Sequence, residues 1–158
     1  MATEANEHQG WKRYRPALAW GCAGVFVLMG VVAATAIPRF VNMANYAKRS
    51  EGIRFLKEIH QAQLDHFAKH GAYVAVGPTP QQPPSKRQLP FESEHMDGWK
   101  RLGWQPEGMV RCQYEVTVPT PSNFRAVARC DVDGDGNPSV FVGSADQPPT
   151  MTTPDDHL

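Results

Sequence analysis

The chain has 158 residues, enough for one modest domain, and its 16 Lys and Arg residues balance 16 Asp and Glu residues. A net charge of zero argues against a nucleic-acid-binding protein, which would need a basic excess to neutralise phosphates. The composition is that of an ordinary globular protein, but apolar residues are concentrated near the N-terminus. The cellular location is therefore the first question.

An uncharged apolar segment runs from Ala17 to Ile37. As a helix with a rise of about 1.5 Å per residue, it has the length of a bilayer's hydrocarbon core. Lys12, Arg13 and Arg15 precede it, and the positive-inside rule keeps such residues in the cytoplasm. The sequence therefore predicts a cytoplasmic segment at 1–16, a transmembrane helix at 17–37 and an outward-facing remainder.

A cleavable secretory signal is the alternative interpretation of this segment, because Ala34-Thr35-Ala36 matches the A-x-A pattern of signal cleavage sites. Cleavage there would release a protein that begins at Ile37. The apolar run exceeds the core of a typical signal, and the sequence after it continues as helix, which favours the membrane anchor. Both interpretations place most of the chain outside the cytoplasm.

Residues 38–71 are predicted to continue the helix beyond the membrane. Pro38 would kink rather than end it, because membrane helices can satisfy the carbonyl that proline leaves free. Apolar residues fall on one stripe, and Lys69, His70 and Gly71 form the cation-then-glycine pattern of a helix C-terminus. The stripe consists of Ile53, Leu56, Ile59 and Phe67, with Ala62 and Gln63 beside it.

Residues 72–147 are predicted to form a globular head, followed by a flexible tail at 148–158. The head begins with a proline-rich connection at 77–90 that lacks periodicity, and apolar anchors follow it at Trp99, Leu102 and Trp104. Short, partly alternating segments then predict three strands, at 110–118, 123–130 and 138–143. The expected fold class is α+β, with a long N-terminal helix packed on a small antiparallel sheet.

Two cysteines are expected to meet across the first hairpin of this sheet. If residues 119–123 form the hairpin loop, the strands pair Val118 with Phe124 and Cys112 with Cys130. Disulfides persist in an oxidising compartment, so an outward-facing head predicts a Cys112–Cys130 bridge. Two free buried thiols are the alternative, and Cys22 in the apolar segment is interpreted as a small apolar residue.

Acidic residues alternate in the loop DVDGDGN at 131–137. Carboxylates at alternate positions with glycine in sixth place match the first half of a calcium-binding loop, although the twelfth position holds Val142 instead of glutamate. An Asp-Gly turn with solvated carboxylates is the alternative. The predicted calcium ligands are Asp131, Asp133, Asp135 and Asn137.

His66 and His70 are spaced i, i+4 and could face one metal, but no acidic or cysteine partner lies at a useful spacing. A polar helix face explains the pair, and no metal is predicted there.

The segment AIPRFVNMANYAKRSEGIRFLKEIHQAQLDHFAKHGAY at 36–73 strongly resembles the N-terminal helix of bacterial type IV pilins and pseudopilins. It follows an apolar membrane run, and its helix contains Ser-Glu and ends in an aromatic residue before His-Gly-x-Tyr. The resemblance implies one long kinked helix whose outer half packs on an antiparallel sheet. It also implies assembly with other pilin or pseudopilin subunits through this helix, after anchoring in the inner membrane.

The segment before the apolar run departs from the cleavage motif of that family. Counting back from Pro38 places the family's glycine at Pro16, its new N-terminus at Ala17 and its glutamate at Gly21. The chain therefore lacks the glycine for the prepilin peptidase and the acidic residue thought to pair with a neighbour's amine.

The sequence thus predicts a structural or accessory pilin-like subunit of a type IV pilus or type II secretion pseudopilus. It would cross the inner membrane once, with a cytoplasmic N-terminus and a periplasmic head, or reside in an extracellular filament. The alternative is a membrane-anchored binding module that does not polymerise. An enzyme is disfavoured, because no nucleophile, base and orienting group occur in a convincing arrangement.

Overall fold

A computed structural model describes the backbone of residues 8–92 and 94–153, and the side chains of these residues from Val25 onward except Thr35 and Pro38. The chain divides into an N-terminal unit that ends at Met43 and a head unit that begins at Ala44. The fold class is α+β, as predicted. The first element is α1 (His8–His70), which includes Pro38. The side chain of Pro38 lies outside the described residues, so the kink there stays a prediction.

The end of α1 matches the sequence pattern. Lys69 and His70 occupy its last turn, and Gly71 follows with a φ of 68°, the left-handed conformation that glycine adopts without strain. The described residues of the head then form a second helix, α2 (Met96–Leu102), and seven strands. The strands are β1 (Val76–Thr79), β2 (Leu89–Pro90), β3 (Met109–Val110), β4 (Cys112–Thr120), β5 (Asn123–Cys130), β6 (Ser139–Ser144) and β7 (Gln147–Met151).

Five of these strands form one antiparallel sheet in the order β1-β4-β5-β6-β7, and β2 pairs with β3 separately. The predicted apolar stripe of α1 packs on this sheet: Leu56 and Ile59 are fully buried, and Ile53 and Ala62 are partly buried against the same core. The sheet face toward the helix carries Cys112, Tyr114, Val116, Phe124, Ala126, Ala128, Cys130 and Phe141.

The predicted register of the central hairpin is confirmed over most of its length. Cys112 pairs with Cys130, and Val116 pairs with Ala126. The predicted loop is too long, however, because the strands extend to a Thr120–Asn123 pair, with a register shift after Thr117. Between the Thr117–Arg125 and Thr120–Asn123 pairs β4 advances three residues and β5 two, so β4 holds one extra residue there.

Two regions that the sequence analysis left without regular structure are edge strands. Part of the proline-rich connection forms β1, which pairs with β4, and part of the predicted tail forms β7, which pairs with β6. Both strands contain proline, which lacks the N–H of a central strand but is tolerated at a sheet edge. The last predicted tail residues, 154–158, lie outside the described residues.

Polar side chains fix the chain where it leaves α1 and enters the sheet. Gln63 is fully buried, and its amide accepts from the Val74 N–H at 2.9 Å and donates to the Val74 carbonyl at 2.7 Å. Thr79 is also fully buried and accepts a hydrogen bond from Trp99 Nε1 at 2.8 Å. These three hydrogen bonds pair polar groups that the fold buries.

The three predicted apolar anchors are buried, and the two tryptophans among them belong to an aromatic cluster. Trp99 and Trp104 have ring centroids 5.3 Å apart, and Phe91 contacts both indoles. Trp104 also contacts Phe55 of α1 edge to face and donates Nε1 to Glu58 of the same helix at 3.0 Å. The cluster thus attaches the segment around α2 to the long helix through Phe55 and Glu58.

Helix α1 lies close to the sheet at Gly52, and this predicts the effect of adding one methyl group. A Cβ at Gly52 would lie 2.5 Å from Cys130 Sγ and 3.1 Å from the Phe141 ring. We expect Gly52→Ala to lower the free energy of unfolding by about 1 to 3 kcal/mol, the usual cost of overpacking a core. Urea unfolding of the full chain in detergent measures this.

Gly30→Ala is the matched control, because a Cβ there meets nothing within 4 Å in the described structure. It should leave the unfolding midpoint of the head unchanged. Equal midpoints for Gly52→Ala and the native chain would contradict the close contact.

Candidate functional site

The described part of α1 from Val25 to Met43 exposes large apolar side chains on every side. Phe26, Phe40 and Met43 are each more than 70% exposed. This helix is long and apolar enough to span a membrane. Burying one such side chain is worth about 1.5 to 3 kcal/mol, so the surface is stable against lipid or other apolar helices rather than against water.

The predicted disulfide is present. Cys112 and Cys130 are joined, and each is about 1% exposed. The bridge links β4 to β5 on the sheet face that packs against Gly52, beneath α1. Because it joins neighbouring strands in the core, the bridge contributes to the stability of the head and is not accessible from solvent.

The predicted calcium ligands lie in the loop between β5 and β6. Asp131, Asp133 and Asp135 each place a carboxylate oxygen within 4.8 Å of the others. Asp131 is buried, whereas the other two carboxylates are exposed. The three could supply part of the oxygen ligands that calcium requires, in the first half of the predicted loop.

Hydrogen bonds within the loop already use several of these oxygens. Asp131 accepts from the Gly134 N–H at 2.7 Å with Oδ1 and from the Gly136 N–H at 3.2 Å with Oδ2. Asp135 accepts from the backbone and side-chain nitrogens of Asn137. The two glycines have φ values of 78° and 84°, which the turn requires. These hydrogen bonds hold the turn together. The calcium site stays a prediction.

The twelfth position of the expected calcium loop does not supply a ligand, since Val142 lies within β6 and is half-buried. The histidines are also separate from the acidic loop. His66 and His70 have ring centroids 4.5 Å apart, but His66 Nδ1 contacts the Ala72 carbonyl at 2.7 Å. Within the residues that the structure describes, the acidic loop is the one cluster of three or more metal-binding side chains.

Two charged residues of α1 that the sequence patterns did not indicate contact the head. Glu51 accepts from the Arg111 N–H at 2.7 Å and from the Tyr114 hydroxyl at 3.4 Å. Arg49 is 6% exposed and donates Nη1 to Ser139 Oγ at 3.3 Å. Arg49 lies four residues before Ile53 and seven before Leu56, so it falls within the apolar stripe, and a cation there is a signal that could have singled it out. Glu51 lies off the stripe and carries no such signal.

Burial raises the pKa of Tyr114 far above its ordinary value, and the negative charge of Glu51 beside the hydroxyl raises it further. The ring lies in the aromatic cluster, 5.9 Å from both Phe55 and Trp104. The hydroxyl therefore stays protonated in the folded head and donates to Glu51.

Comparison with known proteins returns no match for this chain, whether among family models, curated proteins or solved structures.

The pKa of Tyr114 predicts a loss of stability in strong base. An unfolded tyrosine loses its proton above about pH 10, whereas the folded one keeps it, so the unfolded state binds fewer protons and gains stability as the pH rises. We expect this group to remove about 1.4 kcal/mol of unfolding free energy per pH unit above pH 10. Below pH 10 its contribution is constant.

Tyr114→Phe removes this group, so the stability difference between the native chain and the variant should shift in favour of the variant between pH 9 and pH 11. Urea unfolding at fixed pH values measures it. Tyr46→Phe removes the hydroxyl of an exposed tyrosine and serves as the control. A pH-independent difference for Tyr114→Phe would show that the hydroxyl is not buried.

Two substitutions separate calcium binding from turn formation in the acidic loop. Asp131→Asn should lower the melting temperature with or without a chelator, because one amide oxygen cannot replace two carboxylate oxygens; the expected cost is about 1 to 3 kcal/mol. Asp133→Asn should leave the melting temperature unchanged when chelator is present.

If the loop binds calcium, the ion raises the melting temperature of the native chain but not that of Asp133→Asn. Scanning calorimetry with calcium or with chelator measures both. If calcium does not change the melting temperature of the native chain, the acidic loop is a turn that binds no calcium.

Proposed function

We propose that this protein is a pilin-like structural or accessory subunit of a type IV pilus or a type II secretion pseudopilus. The observation that carries the proposal is the exposed apolar surface of α1 from Val25 to Met43. The head that follows it contains a buried disulfide. In this role the helix crosses the inner membrane with its N-terminus in the cytoplasm. The head then lies in the periplasm, where the disulfide is stable.

The apolar helix suits both the membrane and an assembly of copies. Residues 25–34 are exposed at every position, so the helix has no single apolar stripe that a single partner would cover. Lipid tails and sister helices offer such a surface similar environments, and transfer from the membrane into a bundle is therefore nearly balanced. This balance supports a helix that is stored in the membrane and then packed against other copies.

The pilin-like assignment rests on the resemblance of residues 36–73, and the packing of α1 on an antiparallel sheet is compatible with it. Pro16, Ala17 and Gly21 support a second candidate, a membrane-anchored binding module that does not polymerise, because they replace the residues used for processing and assembly in that family. Both candidates give the chain a binding or structural role and share the membrane anchor.

The mass of the mature protein in its own cell envelope separates these candidates. An intact Met1 supports the anchored binding module, and a start at Ala17 supports the filament subunit. A start at Ile37 contradicts both, since the apolar segment would then have been removed as a signal. Intact-mass spectrometry of the envelope fraction gives the result directly.

A charge inside the apolar segment tests the anchor. We expect Val27→Lys to reduce the fraction of chain that resists carbonate extraction, because a lysine at the bilayer centre costs about 2.5 to 3.5 kcal/mol. Val27→Leu is the matched control and should stay in the membrane. Equal retention of the two variants would contradict a spanning helix.

Cross-linking tests assembly separately from anchoring. In a Cys22→Ala background, cysteines introduced at Leu28 and Phe40 should oxidise between copies into a ladder of products if helices bundle. A cysteine at Thr117, exposed on the sheet face away from α1, is the control. Monomers at both helix positions, with membrane retention intact, would favour the binding module.

A further inference from the structure

The proposed function makes no use of the histidine pair near the end of α1. His66 and His70 are spaced i, i+4, so both side chains lie on one face of the helix. The sequence alone predicts no metal there, because no acidic or cysteine partner lies at a useful spacing. The structure adds the distance between the two rings, the protonation of His66 and the surroundings of the pair.

The separation of the two rings suits a shared ion. Their centroids lie 4.5 Å apart, and the ring planes are tilted by 40°. Two imidazoles that bind one ion through nitrogens at about 2.0 to 2.1 Å have centroids about 4.5 Å apart when the angle at the metal is about 90°, and about 5.2 Å apart in a tetrahedral site. The two rings therefore already have the separation that a common metal ion requires.

A hydrogen bond fixes the protonation of the His66 ring. Its Nδ1 lies 2.7 Å from the carbonyl oxygen of Ala72. A carbonyl oxygen can only accept, so Nδ1 carries a proton, and the neutral ring has its lone pair on Nε2. Metal-binding histidines commonly donate their second ring nitrogen to a backbone carbonyl, which fixes both the tautomer and the orientation of the ring. The turn after the helix thus prepares Nε2 of His66 as a ligand.

The surroundings of the pair favour a cation. His70 is the last residue of α1, where the helix dipole places a partial negative charge. Lys69 adds a positive charge in the same turn, but Asp65 lies four residues before it and offsets that charge. His70 is exposed, so its ring can rotate toward an ion, and water can supply the remaining ligands.

We propose that His66 and His70 bind one divalent transition-metal ion, through Nε2 of His66, one ring nitrogen of His70 and water molecules. Imidazole nitrogen suits Cu²⁺, Ni²⁺ and Zn²⁺, and the Irving–Williams order makes Cu²⁺ the tightest of these. Because His66 also bonds to Ala72, a bound ion holds the last turn of α1 to the chain that leads into the sheet. This site goes beyond the proposed function and depends on neither the membrane anchor nor assembly.

Copper binding by the full chain in detergent micelles tests the proposal. Cu²⁺ is titrated in excess calcium, which occupies carboxylates that prefer hard cations, such as those of the acidic loop. Isothermal titration calorimetry gives the Kd and the number of ions per chain, and pulsed electron paramagnetic resonance counts the imidazoles bound to copper. We expect one ion per chain, bound by two imidazoles.

Replacement of the exposed histidine removes one ligand without disturbing buried contacts. His70→Ala should weaken Cu²⁺ binding by more than the roughly 10- to 100-fold that loss of an outer partner of a metal ligand costs. The matched control combines His70→Ala with Ala68→His at another exposed position, which restores the number of histidines. Side chains at positions 66 and 68 point to different sides of the helix, so this double variant should bind copper as weakly as His70→Ala.

The melting temperature gives a second measurement of the same site. Cu²⁺ should raise the melting temperature of the native chain but not that of His70→Ala. Circular dichroism without copper should show the same helix content for all three chains.

Three results would overturn the proposal. The first is an equal Kd for the native chain and either variant, and the second is copper bound by a single imidazole in the native chain. The third is one ion shared by two chains, because a second copy would then replace the water ligands.

Discussion

The packing of α1 at Gly52 over the Cys112–Cys130 disulfide is the contact on which the rest of the head depends. The absence of a side chain at Gly52 lets the helix approach Cys130 closely, and the same approach brings Leu56 and Ile59 onto the sheet. The disulfide in turn fixes β4 against β5 beneath the helix. A larger residue at this point would separate the helix from both strands.

Polar contacts then fix the position of the helix along the sheet. Glu51 binds the start of β4, Gln63 binds the chain after the helix, and Glu58 binds Trp104 in the aromatic cluster. Hydrophobic packing alone would permit neighbouring registers of similar energy, whereas buried hydrogen bonds are satisfied in one register only. The head therefore combines an apolar interface for stability with a few polar bonds for specificity.

Sequence patterns predicted the elements in which local and tertiary preferences agree. The apolar stripe and the glycine at its end identified α1, and alternation with two cysteines identified the register of β4 and β5. The edge strands β1 and β7 were missed because their prolines oppose strand formation locally, and pairing with β4 and β6 outweighs this preference.

The acidic loop could be recognised from its spacing alone, but its internal bonding could not. Asp131 accepts two hydrogen bonds from backbone N–H groups, and both depend on the left-handed conformations of Gly134 and Gly136. The apolar groove lined by Tyr46, Ile53, Phe141 and Met151 could not be predicted either, because its walls come from α1, β6 and β7, which are distant in sequence. Arg49 and Met151 become neighbours only after the sheet is complete.

The prolines of the two edge strands have a consequence for contacts between copies of the head. Pro78 in β1 and Pro148 and Pro149 in β7 remove backbone donors from the outermost strands of the five-stranded sheet. An incoming strand therefore finds an incomplete hydrogen-bonding ladder at either edge. Copies of the head that come close together can touch through their side chains without merging their sheets, which protects them from aggregation through their strands.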